Sequence, residues 1–323
     1  MNSNKPIEHF VTLFDSNFLP QGLALHASLE RHLKGTFKLW ILCLDDQVFD
    51  CLTLLGLFNI SLLRLSQLEK SALLIAKTNR TLREYCWTLT PFAPFFVFDA
   101  DKTVQRVTYL DADTWFLKNP SKIFSELELS HKSVLITDHA YAFEYDQSQT
   151  SGKYCVQFMT FLRSDGEQVR AWWEERCLEW CHARYEDGKF GDQKYLEKFP
   201  ELFPDRVHVA KGLDNFMAPW NATRFSLKNA VLWHFHGLRT VKLFGIVRVY
   251  YGDYFLPPEI LNEVYTPYLQ DIISAVEVLS AHGIGMPIQA SFGWKEKAKY
   301  LLSKYFFQKD QFLLQNLVSF NRW

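Results

Sequence analysis

The segment RVTYLDADTW, residues 106–115, runs Val107, Tyr109 and Leu110 straight into Asp111-Ala112-Asp113. An apolar, β-branched run with a polar stop reads as a buried strand whose end carries two carboxylates. Alternation along a strand turns Asp111 and Asp113 to one side and Ala112 to the other. Two carboxylates held side by side repel unless a cation lies between them, and a hard divalent ion suits such oxygens. In open α/β sheets the carboxyl ends of the strands are also where ligands dock. The segment predicts an α/β sheet with a metal site at its carboxyl edge, the metal clamping a phosphorylated ligand.

A second triplet, Asp99-Ala100-Asp101, lies just upstream. It follows the aromatic run FFVF and leads into Lys102-Thr103 with no strand before it. That context predicts a solvated helix end or turn, where Asp is at home.

The same α/β reading extends along the chain. Phe10–Phe14 is apolar, Leu19–His32 has helical periodicity, and Phe37–Leu44 is a second apolar run. Strand, helix and parallel strand make a right-handed crossover unit. A helical region over Thr81–Phe98 follows, limited by Pro91 and Pro94. Ser133–Thr137, Cys155–Leu162 and Val231–His236 are expected as strands, Val169–Ala183 as a Trp-rich helix and Asp192–Phe199 as a short helix. Near residue 245 the character changes, giving residues 1–245 as one domain and 246–323 as a mostly helical extension. Its tail, KEKAKYLLSKYFFQKDQFLLQNL, reads as a basic amphipathic helix. Such a helix either packs as a terminal element or rests on a membrane surface.

At 323 residues the chain can bury a large core, and a formal net charge of −1 gives no electrostatic case for nucleic acid. The six cysteines form no C-x-x-C pair and sit mostly among apolar neighbours, which suits a reducing compartment. The N-terminus has no apolar signal region and no stretch reaches membrane-spanning length, so the expectation is cytoplasmic, with peripheral contact at the inner membrane face through the tail as its variant.

Four ordered motifs carry a resemblance to a known family: VTLFDSNF, YLDAD, FGDQKYL and HFHG. From Phe10 to about Arg239 the chain resembles the metal-dependent nucleotide-sugar glycosyltransferases of the GT-A fold, above all family 8 and its bacterial relatives in surface-polysaccharide synthesis. The resemblance implies a Rossmann-like mixed sheet flanked by helices and transfer of a sugar, from a UDP-sugar in the first instance, to a glycan or lipid-linked glycan acceptor with retained configuration. It makes Asp113 the main metal ligand, with Asp111 shared between metal and ribose. It puts His234 in the position of the family's histidine ligand, with His236 as the alternative. A nitrogen ligand beside carboxylates favours Mn²⁺ over Mg²⁺. Gly237 lets backbone approach the diphosphate. Thr12, Asp15 and Phe18 match positions that hold base and ribose, although Asp15 reads equally as a cap or turn residue. Asp192 would meet the donor sugar's hydroxyls and Gln193 the anomeric centre; the residues alone make Asp192 a helix cap.

The chain also departs from this family. The diphosphate-binding lysine six positions after the histidine is Thr240, leaving Arg239 or Lys242 as substitutes. The arginine near Trp87 is missing, with Arg80 and Arg83 upstream. The usual Asn-x-Gly becomes Cys155 and Gln157; Gln157 is either a ligand contact or a satisfied core amide. Trp172, Trp173 and Trp180 have core spacing, Pro219-Trp220-Asn221 reads as structural, and His139, Glu186 and Asp187 are acceptor candidates. Two rival readings stay open: a haloacid-dehalogenase-like phosphatase, since LDADT fits D-x-D-x-T with Asp111 as nucleophile, and a non-catalytic nucleotide-sugar or glycan-binding protein.

Overall fold

The computed structural model describes residues 7–243, 246–285, 287–291 and 294. The basic tail from residue 295 onward lies outside them. Strand β1 (Glu8–Phe14), a helix over Leu19–Leu33 and strand β2 (Phe37–Cys43) form the expected crossover, β1 and β2 pairing in parallel with Phe10 opposite Leu39. The helix carries Pro20 in its first turn and stops where Lys34 turns left-handed and donates its N–H to Glu30. Two elements that the apolar pattern left unassigned come next. A helix over Asp46–Leu55 is capped by the Asp45 carboxylate, which accepts from the Val48 N–H, and β3 (Ile60–Arg64) pairs in parallel with β2.

The region expected as one helical stretch is two helices, Leu82–Leu89 and Phe92–Ala100. Thr81 and Glu84 cap the first reciprocally, and Pro91, which has no N–H to give, makes the break. Strands β4 (Arg106–Leu110), β5 (Thr114–Phe116), β6 (Val134–Asp138), β7 (Tyr154–Leu162) and β8 (Val207–Val209) follow. The Trp-rich helix spans Glu167–Glu179, shorter than its pattern suggests, because Trp180 turns extended. The expected helix after Asp192 is a 3-10 helix, Gln193–Lys198.

The main sheet has the order β3-β2-β1-β4-β7-β6-β8, with only β7 antiparallel to its neighbours. The chain leaves β1 toward β2 and β3 and returns to β4 on the other side, so the strand order reverses between β1 and β4. Such a switch point opens a crevice at the carboxyl ends of the two strands. Alternate residues feed two cores: Val11, Leu13, Trp40 and Leu42 face the Tyr85, Phe96 and Trp173 side, while Phe10, Phe14, Leu39 and Ile41 face Leu25, Leu29 and Phe124. Helices on both faces of a mixed sheet make a three-layer sandwich.

Two small sheets complete the edge. β9 (Phe216–Met217) and β10 (Leu232–His234) join β5 in the order β5-β10-β9. β11 (Arg239–Leu243) makes a hairpin with β12 (Ile246–Tyr250) and pairs in parallel with β13 (Ala290–Ser291). The paired strands β11 and β12 lie on either side of position 245, where the sequence alone puts a domain boundary. A helix over Thr266–Ala281 docks beside Leu19–Leu33, where Asp271 accepts from Arg31 (2.9 Å) and from the indole N–H of Trp115 (2.8 Å).

Trp173 ties the main core to the loop before the 3-10 helix. It is fully buried, stacks near Phe161, and donates its indole N–H to the Asp192 carbonyl at 2.8 Å. Trp173→Ala is expected to cost ~3–5 kcal/mol through the cavity it leaves. Trp173→Phe, which keeps most of the ring but orphans that carbonyl, should cost ~1–3 kcal/mol. Denaturant midpoints would check both.

Candidate active site

The Asp111-Ala112-Asp113 triplet is a tight turn and not the end of a strand. β4 stops at Leu110, and both the backbone N–H (3.1 Å) and the hydroxyl (2.7 Å) of Thr114 donate to the Asp111 carbonyl. This corrects the alternation argument: the turn, closed by Thr114, holds the two carboxylates. The turn leads into β5, which pairs antiparallel with β10 so that His234 lies opposite Thr114. The Phe235 N–H donates to the Asp113 carbonyl at 2.8 Å, locking that register. His234 Nε2 therefore lies 3.2 Å from Asp113 Oδ1 and 3.7 Å from Asp111 Oδ2. One ligand atom from each of the three residues falls within 4.8 Å of the others.

The electrostatics follow from that proximity. Burial pushes the Asp111 carboxyl up, and Asp113 adds to the rise against the pull of His234, leaving it at about 6. For Asp113 burial acts in the same direction, but His234 and then Arg239 outweigh it and hold this carboxyl well below the usual range. Burial lowers His234, yet Asp113 and Asp111 reverse that and keep the ring charged well above its ordinary value. Hard oxygens, an imidazole nitrogen and mutual spacing of this size fit one divalent ion. Asp99 and Asp101 are elsewhere, at the exposed end of the Phe92–Ala100 helix, where Asp99 pairs with Lys102.

The residues expected around nucleotide and diphosphate sit on β1, on the turn after it and after β10. Thr12 is fully buried on β1, its hydroxyl without a partner among the described residues. Asp15 caps the short turn after β1, its carboxylate accepting from the backbone (3.1 Å) and side chain (2.9 Å) of Asn17, which is the local role the residues alone allow. Phe18 lies under the Arg239 guanidinium at 5.4 Å, and Arg239 reaches to 3.7 Å from Asp113 Oδ2. Thr240 instead binds Pro287 and Gln289, while the Lys242 side chain lies outside the described structure. Gly237 has φ +82°, a left-handed backbone that favours glycine, and a Cβ there would only touch the Gly252 Cα at 3.4 Å.

Asp192 is buried at the cap position of the 3-10 helix but makes no capping bond, and its Oδ2 has no partner among the described residues. Burial and the nearby Asp111 push it up to about 7. Gln193 donates its amide to the Ser151 carbonyl at 2.8 Å. Gln157 accepts from His234 Nδ1 at 3.1 Å, so it is not a fully satisfied core amide: its Nε2 is unpartnered among the described residues. Arg80 donates to the Leu178 carbonyl, and Arg83 is exposed. Trp173 is core, Trp172 is partly buried against Phe199 in the same cluster, and Trp180 is partly buried beside His182 and Arg184. Glu186 pairs with Arg184 on a turn where Asp187 has φ +49°. Trp220 and Asn221 both donate to the His139 carbonyl, and the Trp220 ring packs edge-to-face on His234 and against His236.

Sequence reasoning missed Tyr109, whose hydroxyl donates to Asp111 Oδ1 at 3.0 Å. Its spacing two residues before Asp111 was the available signal.

His139 stacks on Tyr141 and is almost fully buried. Burial, reinforced by His234 and His236, pushes it down to about 3. A histidine depressed in the folded state costs stability as pH falls below ~6.5, because the unfolded chain takes up the proton first. Between pH 7.5 and 5 the wild type should therefore lose roughly 2 kcal/mol more stability than His139→Phe, measured by denaturant unfolding at both pH values.

No protein-family model matches the chain. Among solved structures, that of the bifunctional glycosyltransferase WbbM superposes with a TM-score of 0.53 at 13% identity, over 87% of this chain and 52% of that one. This likeness shows the fold: the mixed seven-stranded sheet with its flanking helices is a GT-A fold. Two uncharacterized proteins of Bacillus subtilis (strain 168) match along most of their length. YfnD is 27% identical over 284 residues, 82% of this chain and 88% of YfnD. YfnF is 31% identical over 292 residues, 84% of this chain and 94% of YfnF. With that identity sustained over nearly the whole of its relative, the chain belongs to the YfnF family.

Proposed function

We propose that this protein is a metal-dependent glycosyltransferase. It moves a sugar from a nucleotide-sugar donor, a UDP-sugar in the first instance, to a hydroxyl of a glycan or lipid-linked glycan in surface-polysaccharide synthesis. The observation that carries this reading is the convergence of Asp111, Asp113 and His234 at the switch point of a GT-A sheet. Retention of configuration enters through the resemblance to family 8. The phosphatase alternative is disfavoured, since its nucleophile motif opens its fold, whereas Asp111 follows the fourth strand and meets a histidine. A cytosolic setting agrees with six free cysteines, and the tail is the candidate contact to the inner membrane face. No described helix is long and apolar enough to cross a membrane.

Asp111, Asp113 and His234 would hold Mn²⁺ or Mg²⁺, which when bound offsets the charge that develops on the departing diphosphate. Arg239, fixed over Phe18, adds a fixed positive charge beside that position. Thr12, near the end of β1, and Asp15, just after it, would meet the base and ribose, as the resemblance implies. The free Asp192 oxygen is available to a donor-sugar hydroxyl. Gln193 would have to release Ser151 to reach the anomeric carbon.

Calorimetry should show UDP binding in the presence of Mn²⁺ and its loss on adding EDTA; equal affinity in both would remove the metal from the account. Asp113→Asn should lose the metal-dependent binding and, with it, several kcal/mol of transition-state stabilisation. Asp99→Asn, at an exposed site, should match the wild type. Arg239→Met should weaken Mn²⁺-dependent UDP binding about tenfold to a hundredfold, the loss of a charged hydrogen bond. Slow hydrolysis of the bound donor would separate an enzyme from a binding protein.

A further inference from the structure

We infer that Gln157 is the positioning residue for His234, its side-chain amide keeping the proton on Nδ1 so that Nε2 is the nitrogen open to a cation beside the two aspartates. This rests on the metal reading given above.

Gln157 is fully buried on β7, one step beyond the pair Leu110–Phe158, and its backbone carbonyl accepts from the Asp111 N–H at 3.4 Å. Its side chain turns to the other arm of the site, with Oε1 3.1 Å from His234 Nδ1. One residue thus touches both the turn that carries the carboxylates and the histidine that reaches them.

A carbonyl oxygen only accepts, so this contact holds a proton on Nδ1, and the proton a cation would displace is the one on Nε2, which faces Asp113 and Asp111. The opposite amide orientation would donate to Nδ1, place the proton on Nε2 and close that nitrogen to a cation. Only one orientation is compatible with a ligand role. The ring plane is held independently by Trp220, edge-to-face at 5.3 Å and 89°. The Cys155 thiol also lies within hydrogen-bond reach of His234, but it is a weak acceptor, and the Gln157 carbonyl is the stronger acceptor for the Nδ1 proton.

The resemblance to family 8 does not supply this role, because that family's Asn-x-Gly is replaced on this strand by Cys155 and Gln157. Histidine ligands commonly give their second N–H to a fixed acceptor, and removing that acceptor costs about 10–100-fold in metal affinity.

The test is titration of the metal-free protein with Mn²⁺ alone, by calorimetry and by the loss of free-ion electron paramagnetic resonance signal. Gln157→Met, close in volume but without an acceptor, should bind Mn²⁺ about 10–100-fold more weakly. Gln157→Glu, which keeps an acceptor oxygen, should bind at least as tightly as the wild type. Long-range ¹H–¹⁵N spectra of the Zn²⁺-loaded wild type should show His234 Nδ1 protonated. Wild-type affinity in Gln157→Met, equal loss in both variants, or a bare Nδ1 would each overturn the inference. If Gln157→Met does not fold, the Glu variant and the spectra decide it. A wild type that binds no Mn²⁺ brings down the metal reading as well, whereas a wild type and Gln157→Met that bind alike bring down this inference alone.

Discussion

The site depends on one short antiparallel pairing, β5 against β10. Three residues on each side put His234 opposite Thr114, and the Phe235 N–H closes onto the Asp113 carbonyl. Shifting this register by one residue would turn His234 to the other face of its strand, away from the aspartates. The pairing is buried throughout, with Trp115, Phe116, Leu232 and Trp233 all inside. Register is strongly specified where one face is committed to a core. Hydrophobic packing on both faces of two small strands thereby fixes the polar arrangement at their end.

That arrangement is unevenly balanced. Asp113 is served by both His234 and Arg239, and its proton is held off strongly. Asp111 has the Tyr109 hydroxyl and a longer approach to His234. Asp192 adds a third carboxyl nearby, and Asp111 and Asp192 both hold their protons more tightly than free carboxylates do. Clustered acids of this kind work against folding and have to be offset by the apolar layers around them. Perturbed groups gathered in a crevice are the pattern of functional sites.

Much of this was legible in the residues, and the limits have physical causes. The first crossover could be read because β1 and β2 are apolar runs with a helical period between them. The distinction between the two Asp-x-Asp triplets was legible too, since only the later one follows a run of strand-forming residues. The turn at 111–114 was not, because whether a polar triplet extends a strand or folds back depends on Thr114 reaching the Asp111 carbonyl. The division of the Thr81–Phe98 region rests on Pro91, which gives no N–H to the preceding turn, while the Thr81 cap only starts the first of the two helices. Asp192 could be placed at a helix start but not shown to leave its cap unused. The partnership of Gln157 with His234 joins β7 to β10 across the fold, and no local pattern announces it.

Asp271 gives the C-terminal helix a mechanical meaning. Its carboxylate receives Arg31 from the first long helix and the indole of Trp115, and Trp115 directly follows the threonine that closes the aspartate turn. The extension is therefore a keel beneath the site: two covalently distant parts of the chain and the turn share a single anchor. A shortened protein ending near residue 245 would lose more than a peripheral appendage. It would uncover Trp233, Phe235 and Trp115, which Tyr265, just before the helix, and Tyr268, on it, now cover, and free the strand that sets the turn. Chimaeras that exchange donor or acceptor loops between relatives would accordingly need to carry this helix together with β5 and the Leu19–Leu33 helix, as one inherited unit.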